Sequence, residues 1–150
     1  MKATLRTDGG ARGNPGPAGI GVLLVDENGR EIAAGGRFVG TATNNVAEYM
    51  ALITGLEAAR AAGVTDLTVC CDSELVVKQM RGEYRVRNEA LKPLFARACD
   101  VSRGFDSVRF VHVRRAENQV ADRLANQAMD ARHDVGYGLG ECDEPPSTLF

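Results

Sequence analysis

The sequence predicts an α/β fold: a mixed five-stranded sheet, three antiparallel strands followed by parallel ones, with helices on both faces. Three observations predict it. Apolar residues alternate with a period of two up to about Val39, and the period becomes roughly three and a half from Val46. Beyond that change, short apolar runs alternate with helical ones, as parallel strands joined by crossover helices require. The 150 residues, 44% hydrophobic and 25% charged, suffice for one sizeable core and have the composition of a soluble globular domain.

The elements follow in order β-β-β-α-β-α-α-β-α. Ala3, Leu5 and Thr7 alternate with polar positions in a first strand. A Gly/Pro-rich turn, Gly13-Asn14-Pro15-Gly16-Pro17, precedes an apolar run from Ile20 to Val25. Asp26-Glu27-Asn28-Gly29 is a hairpin signal, and a third strand runs from Glu31 to about Val39. Val46, Met50, Ile53 and Leu56 recur at helical spacing, and Gly63 stops that helix. Leu67 to Cys71 is a continuous apolar run, the mark of a strand buried on both faces. Ser73 can cap a short helix through Met80, and a basic connection, Arg81 to Arg87, leads to a helix from Asn88 to about Val101. Val108 to Val113 is a fifth strand, and Asn118 opens a last helix through about Arg132. Residues 1–133 form the expected domain. Residues 134–150, rich in Gly, Pro and acid, read as a flexible tail.

Composition excludes several functions. No apolar run approaches the ~20 residues that span a bilayer, and the N-terminal residues contain no signal-like apolar stretch. Cys70, Cys71, Cys99 and Cys142 form no C-x-x-C pair, and the two histidines do not complete a zinc set. Reduced thiols in a cytoplasmic protein are the expectation. Of the formal charge of −2, the tail carries −4 through Asp134, Glu141, Asp143 and Glu144, leaving the body at +2. That balance is compatible with a polyanionic partner. Nothing points to a membrane or to an obligate protein partner, and a monomer is expected.

Four carboxylates hold the chemistry. Asp8 ends the first strand, Asp72 ends the fourth, Asp122 lies in the first turns of the last helix, and Glu48 lies near the start of the first helix. Strand ends in an α/β sheet are where binding crevices form. Four acids gathered there repel, so one is protonated or cations are present, and hard divalent ions, Mg²⁺ in particular, suit oxygen donors. Each acid also has a plain structural reading. Glu48 stands three residues after Asn45, a capping-box spacing. Asp72 and Asp122 can favour helix N-termini, and Asp8 can be a turn residue. The structural readings account poorly for all four converging on one end of one sheet.

The residues around these acids resemble the ribonuclease H type 1 family over about residues 1–130. The matches are Thr7-Asp8-Gly9-Gly10 with Gly13-Asn14-Pro15-Gly16-Pro17-Ala18-Gly19, Thr43-Asn44-Asn45-Val46-Ala47-Glu48, Cys71-Asp72-Ser73, and Glu117-Asn118-Gln119-Val120-Ala121-Asp122. The resemblance implies a ribonuclease H-like fold and a metal-binding and catalytic set of Asp8, Glu48, Asp72 and Asp122. It implies hydrolysis of the RNA strand of an RNA–DNA hybrid by two Mg²⁺ ions, Mn²⁺ being able to substitute, with 5′-phosphate and 3′-hydroxyl ends. Asp8 and Asp72 would be the bridging and central ligands, Glu48 would hold the metal near the leaving group, and Asp122 the metal that activates water. Asn14, Asn44 and Asn45 match substrate-contact positions, where an amide can meet the ribose 2′-OH that separates RNA from DNA. Gly9 and Gly13 let backbone approach, and Thr43 either joins that surface or starts the helix.

The chain departs from the family pattern in two places. The loop that in many members carries a catalytic histidine is shortened to Arg114-Arg115-Ala116-Glu117, and His112 falls inside a strand. His112 is read as structural, and Arg115 as the residue that supports catalysis electrostatically. The basic protrusion of several relatives is absent, leaving Lys78, Arg81, Arg85 and Arg87 as candidate phosphate contacts, with Glu74 an acidic neighbour of the groove. Two other functions stay open: a hybrid- or RNA-binding module with little turnover, and another metal nuclease of the same fold.

Overall fold

The structure, a computed structural model, describes residues 1–140. β1 (Lys2–Ala11), β2 (Gly16–Asp26) and β3 (Glu31–Ala42) form an antiparallel meander, followed by α1 (Asn44–Ala61). Then come β4 (Asp66–Cys71), α2 (Glu74–Met80), α3 (Lys92–Ser102), β5 (Ser107–His112), a single 3₁₀ turn (Arg115–Glu117), α4 (Gln119–Ala131) and β6 (Val135–Tyr137). The sheet order is β5-β4-β1-β2-β3-β6. β4 pairs parallel with both β1 and β5. No helix among the described residues is long and apolar enough to cross a membrane.

Strand alternation assigns the faces. Leu5 and Thr7 meet α1, where an ideal Cβ on Gly55 would lie 2.8 Å from the Leu5 side chain. The intervening positions look toward the other face, which α4 covers at β2 and β3. β2 lies beneath both helices and is buried along almost its whole length, which explains its unbroken apolar run. Leu5, Ile20, Leu24, Leu52, Leu56, Leu67 and Val69 make the centre of the core. α1, wedged between the sheet and α3, is buried nearly all round. The Thr43 and Ser73 hydroxyls cap α1 and α2 by accepting from the N–H groups of Val46 (3.2 Å) and Val76 (3.3 Å). Each cap contributes about 1 kcal/mol.

Four expectations need correction. The sheet has six strands, because residues 135–137 pair with β3. The start of the presumed flexible tail is thus tied down: the largely buried Arg37 guanidinium donates to the Gly140 carbonyl (2.8 Å) and to Asp134 (3.3 Å). The rest of that tail, with Cys142, lies outside the described residues. α3 starts at Lys92 and not at Asn88, since Pro93 is compatible only with a first helical turn. Asp8 does not end its strand. β1 leaves β4 after Thr7↔Cys71 but continues along β2 to Ala11↔Ala18, so Asp8 sits where β1 begins to overhang its parallel neighbour.

α4 is seated on glycines. An ideal Cβ on Gly21 would overlap the Ala121 carbonyl oxygen, and one on Gly36 the Leu124 carbonyl oxygen. Gly21 is the cross-strand partner of Asp8, so this seat brings the first turn of α4 over Asp8. We expect Gly21→Ala to lower stability by about 1–3 kcal/mol through overpacking. Gly10→Ala, whose methyl would meet only Asn44 Oδ1 at 3.8 Å, should stay within about 0.5 kcal/mol of wild type. Urea denaturation of the two variants checks the contrast.

Candidate active site

The overhang of β1 opens a groove of about 450 Å³ between α1 and α4. Asp8, Gly9, Asn44, Asn45, Glu48, Asp72, Arg115 and Asp122 all line it. Gly13, Asn14 and Thr43 do not. Thr43 is the α1 cap, and Asn14 Oδ1 accepts from the Asn44 N–H (3.0 Å), tying the Gly/Pro turn to the helix start. Asn44 Oδ1 in turn accepts from the Ala11 N–H (2.9 Å). The two amide oxygens are therefore engaged by protein backbone, and the NH₂ groups are the ends left to donate.

The structural alternatives for the acids are resolved residue by residue. Glu48 is not a capping-box residue: its Oε1 accepts a 2.6 Å hydrogen bond from the Gly9 N–H, across from its own helix. Ser73, and not Asp72, caps α2. Asp8 lies in a strand and not in a turn. Asp122 lies in the first turn of α4, where the helix dipole favours it, and lines the groove as well.

Burial and crowding set the electrostatics. Asp8 is 9% exposed and Glu48 8%. Desolvation pushes the Asp8 carboxyl up to about 8, reinforced by the charge of Asp72 and by a hydrogen bond and charge from Asp122. Desolvation also raises Glu48 well above the carboxylate range, with Asp8 and Asp72 adding to it, while the Gly9 N–H and Arg115 oppose it. Arg115 reaches Asp122 Oδ1 at 3.7 Å from the groove rim. Glu48 and Asp72 approach the Cys71 thiol, with ligand atoms all within 4.8 Å. Burial raises the Cys71 thiol far above neutrality, so the ionisable donors are the oxygens. An all-oxygen, net-negative donor set fits hard divalent cations.

Other candidates fall outside the groove. His112 is exposed at the end of β5 and lines no part of it, so its side chain has no core role to lose. Lys78 pairs with Glu74 (2.7 Å) and lies over the Tyr84 ring, and Arg81 Nε donates to the Phe110 carbonyl (2.8 Å). Arg85 and Arg87 are exposed. Two polar groove residues escaped the sequence reading. Arg12 pairs with Asp130 (2.7 Å) and reaches Asn126 Oδ1 (3.4 Å) across the far end of the groove. Only the spacing of Asn126, one turn after Asp122, marks it in the sequence.

A family model described as "Reverse transcriptase-like" matches residues 6–128. The crystal structure of RNase H1 from Halobacterium salinarum superposes with a TM-score of 0.85 at 44% identity, covering 87% of this chain and 99% of that one. The chain belongs to the ribonuclease H type 1 family. A second ribonuclease H1, LC11-RNase H1, solved in complex with RNA/DNA hybrid, matches with a TM-score of 0.82 at 43% identity over 87% of this chain and 98% of that one. The bifunctional protein Rv2228c of Mycobacterium tuberculosis is 46% identical over 132 residues, 87% of this chain. The chain spans about a third, 36%, of that relative's length.

The raised acids make a linkage prediction. Asp8 titrates near 3.8 when unfolded and near 8 when folded. Between those values the folded protein holds a proton that the unfolded chain has released, so stability falls as pH rises through that window. In chelator, the unfolding midpoint should drop between about pH 5 and about pH 8. Asp8→Asn should flatten that slope, and added Mg²⁺ or Mn²⁺ should restore the wild-type midpoint at the upper end. Thermal unfolding across a pH series reads both effects.

Proposed function

We propose that this chain hydrolyses the RNA strand of RNA–DNA hybrids, leaving 5′-phosphate and 3′-hydroxyl ends. The observation that carries the reading is the meeting of Asp8, Glu48, Asp72 and Asp122 in one groove of a ribonuclease H fold. The four carboxylates would hold two divalent cations, Mg²⁺ or, in its place, Mn²⁺. When bound, such cations supply Lewis acidity toward the attacking water and the leaving 3′ oxygen.

The protein's own groups account for the rest. The Gly9 N–H engages Glu48 Oε1, leaving the other oxygen of that groove-lining carboxylate free to serve as a ligand. The Asn44 and Asn45 amides donate toward the ribose 2′-OH, and Gly9 and Gly10, which line the groove without side chains, let a nucleotide strand approach closely. Asn14 and Gly13 support that wall from behind, through the bond from the Asn44 N–H to Asn14. Arg115 offsets negative charge at the scissile phosphate, and Arg12 offers a second cation to a neighbouring phosphate. The reading includes a monomer acting in the cytoplasm, in keeping with the free thiols of Cys70, Cys71 and Cys99.

Asp8→Asn and Asp72→Asn should each abolish hybrid cleavage while the circular dichroism spectrum stays that of wild type. Near-normal turnover at saturating Mg²⁺ in either variant sinks the proposal. Substituting 2′-deoxyriboses across the scissile region should also eliminate cutting, and comparable cleavage of plain DNA would refute the 2′-OH reading. Among the cations, Arg115→Ala should reduce kcat on the order of 10- to 1,000-fold, more than it changes affinity. His112→Ala, at an exposed site, should leave both melting and turnover near wild type. Lost turnover in His112→Ala with full activity in Arg115→Ala would reverse the assignment.

A further inference from the structure

Asp8 and Asp122 belong to elements more than a hundred residues apart in the chain, β1 and α4. Two carboxylates that share cations must keep a fixed spacing. We propose that Asn118, assisted by Arg6, is the positioning residue that sets it, a role that rests on reading the four acids as cation ligands.

Asn118 occupies the N-terminal boundary of α4 but makes no side-chain cap there. It is 1% exposed, and its Nδ2 instead donates 2.8 Å to the Thr7 carbonyl, the residue before Asp8. The choice is costly. Asn118 Oδ1 is left buried without a hydrogen-bond partner among the described residues, a state that a helix cap would avoid. One residue earlier a second bond runs in the opposite sense, from Arg6 Nη1 to the Glu117 carbonyl (2.9 Å). β1 thus gives one donor and one acceptor, from Arg6 and Thr7. The lead into α4 answers with an acceptor and a donor, from Glu117 and Asn118. The Asp122 N–H then bonds the Asn118 carbonyl (3.1 Å), so the turn that presents Asp122 is built on the clasped residue.

Docking of α4 does not require this clasp, because Gly19, Gly21 and Gly36 already seat the helix on β2 and β3. A seat of flat glycines fixes height above the sheet. The clasp fixes sliding along it, and sliding is what changes the distance from Asp122 to Asp8. Groups that orient metal ligands in this way typically change affinity 10- to 100-fold when removed, and small misplacements reduce turnover steeply.

The test uses the full chain with Asn118→Ala, Asn118→Asp and Arg6→Met. Mn²⁺ binding to the metal-free protein is titrated by calorimetry, hybrid cleavage gives kcat and KM, and thermal unfolding in chelator gives stability. Asn118→Ala should weaken Mn²⁺ binding about 10- to 100-fold. It should lower kcat with KM for the hybrid within about twofold, and recover turnover in excess Mn²⁺. Asn118→Asp, which loses the donor but keeps the shape, should behave alike, and Arg6→Met should shift the same quantities by less. Variants that melt earlier but keep wild-type Mn²⁺ affinity and kcat overturn the proposal. If Asn118→Ala fails to fold, Arg6→Met, at a half-buried position with no core side chain removed, decides it by the same readouts. A wild-type protein that binds Mn²⁺ yet leaves hybrids uncut overturns the proposed function alone. One that cuts hybrids while the variants keep full affinity overturns the clasp alone.

Discussion

The hydrogen bond from the Gly9 N–H to Glu48 Oε1 is the contact on which the site geometry depends. It requires α1 to press its Ala47–Glu48 backbone directly onto β1, where an ideal Cβ on residue 9 would overlap the Ala47 carbonyl oxygen and lie 2.7 Å from the Glu48 nitrogen. Glycine is the only residue that permits this approach. The close approach buries Glu48 to the point where its charge is disfavoured, and the N–H compensates part of that cost. Asp8, one residue earlier, faces the opposite side of the sheet, so a single dipeptide presents one acid directly and receives another from the helix behind it.

The same concentration of acids works against the fold. Asp8 and Glu48 are both held in environments that disfavour ionisation, and only Arg115 among the groove-lining cations stands against the cluster itself. The surrounding structure supplies the compensation: a core of fully buried Leu, Ile and Val, and helices fixed by caps and by close backbone contact. A site that is destabilising when empty of cations has its favourable free energy reserved for binding them. Rigid elements are what make that arrangement possible, because carboxylates on mobile loops would separate and relieve their repulsion.

Most of the architecture was legible from periodicity, since β4 announces two-sided burial, β2 is an apolar run and α1 shows its helical spacing. β6 was not, because it is only three residues long and its Val135 and Tyr137 alternate with glycines in a segment whose Gly, Pro and acid content reads as a tail. Its place is set by Arg37, which holds the Asp134 carboxylate before it and the Leu139 and Gly140 carbonyls after it, pairings that no sequence pattern encodes. The four acids were legible as a set because each follows or opens an element, although Asp8 was misplaced at a strand end. The overhang of β1 depends on where β4 stops, and that is a property of pairing and not of the β1 sequence. Asn118 read as a helix opener and sits at that position, but its side chain serves β1. Arg12 and Asn126 were missed for the same reason: their pairing spans more than a hundred residues.

The distribution of cations bears on how a strand would be held. Lys78 and Arg81 are engaged by Glu74, Tyr84 and the Phe110 carbonyl, so a phosphate would have to compete with partners already in place. Arg12 is engaged as well, by Asp130 and Asn126, but it lines the groove together with Asn126, so its guanidinium is held beside it. An ion pair at an exposed site is worth little in itself, about 0–1 kcal/mol, so exchanging Asp130 for a phosphate costs little and gains the release of counterions. Fewer free cations would mean a smaller electrostatic share of hybrid binding and a larger share for the shape of the groove and, on the proposed function, for the amides of Asn44 and Asn45. On the proposed function, discrimination would then come chiefly from contacts that read the ribose, and the body charge of +2 would serve to admit the polyanion more than to retain it.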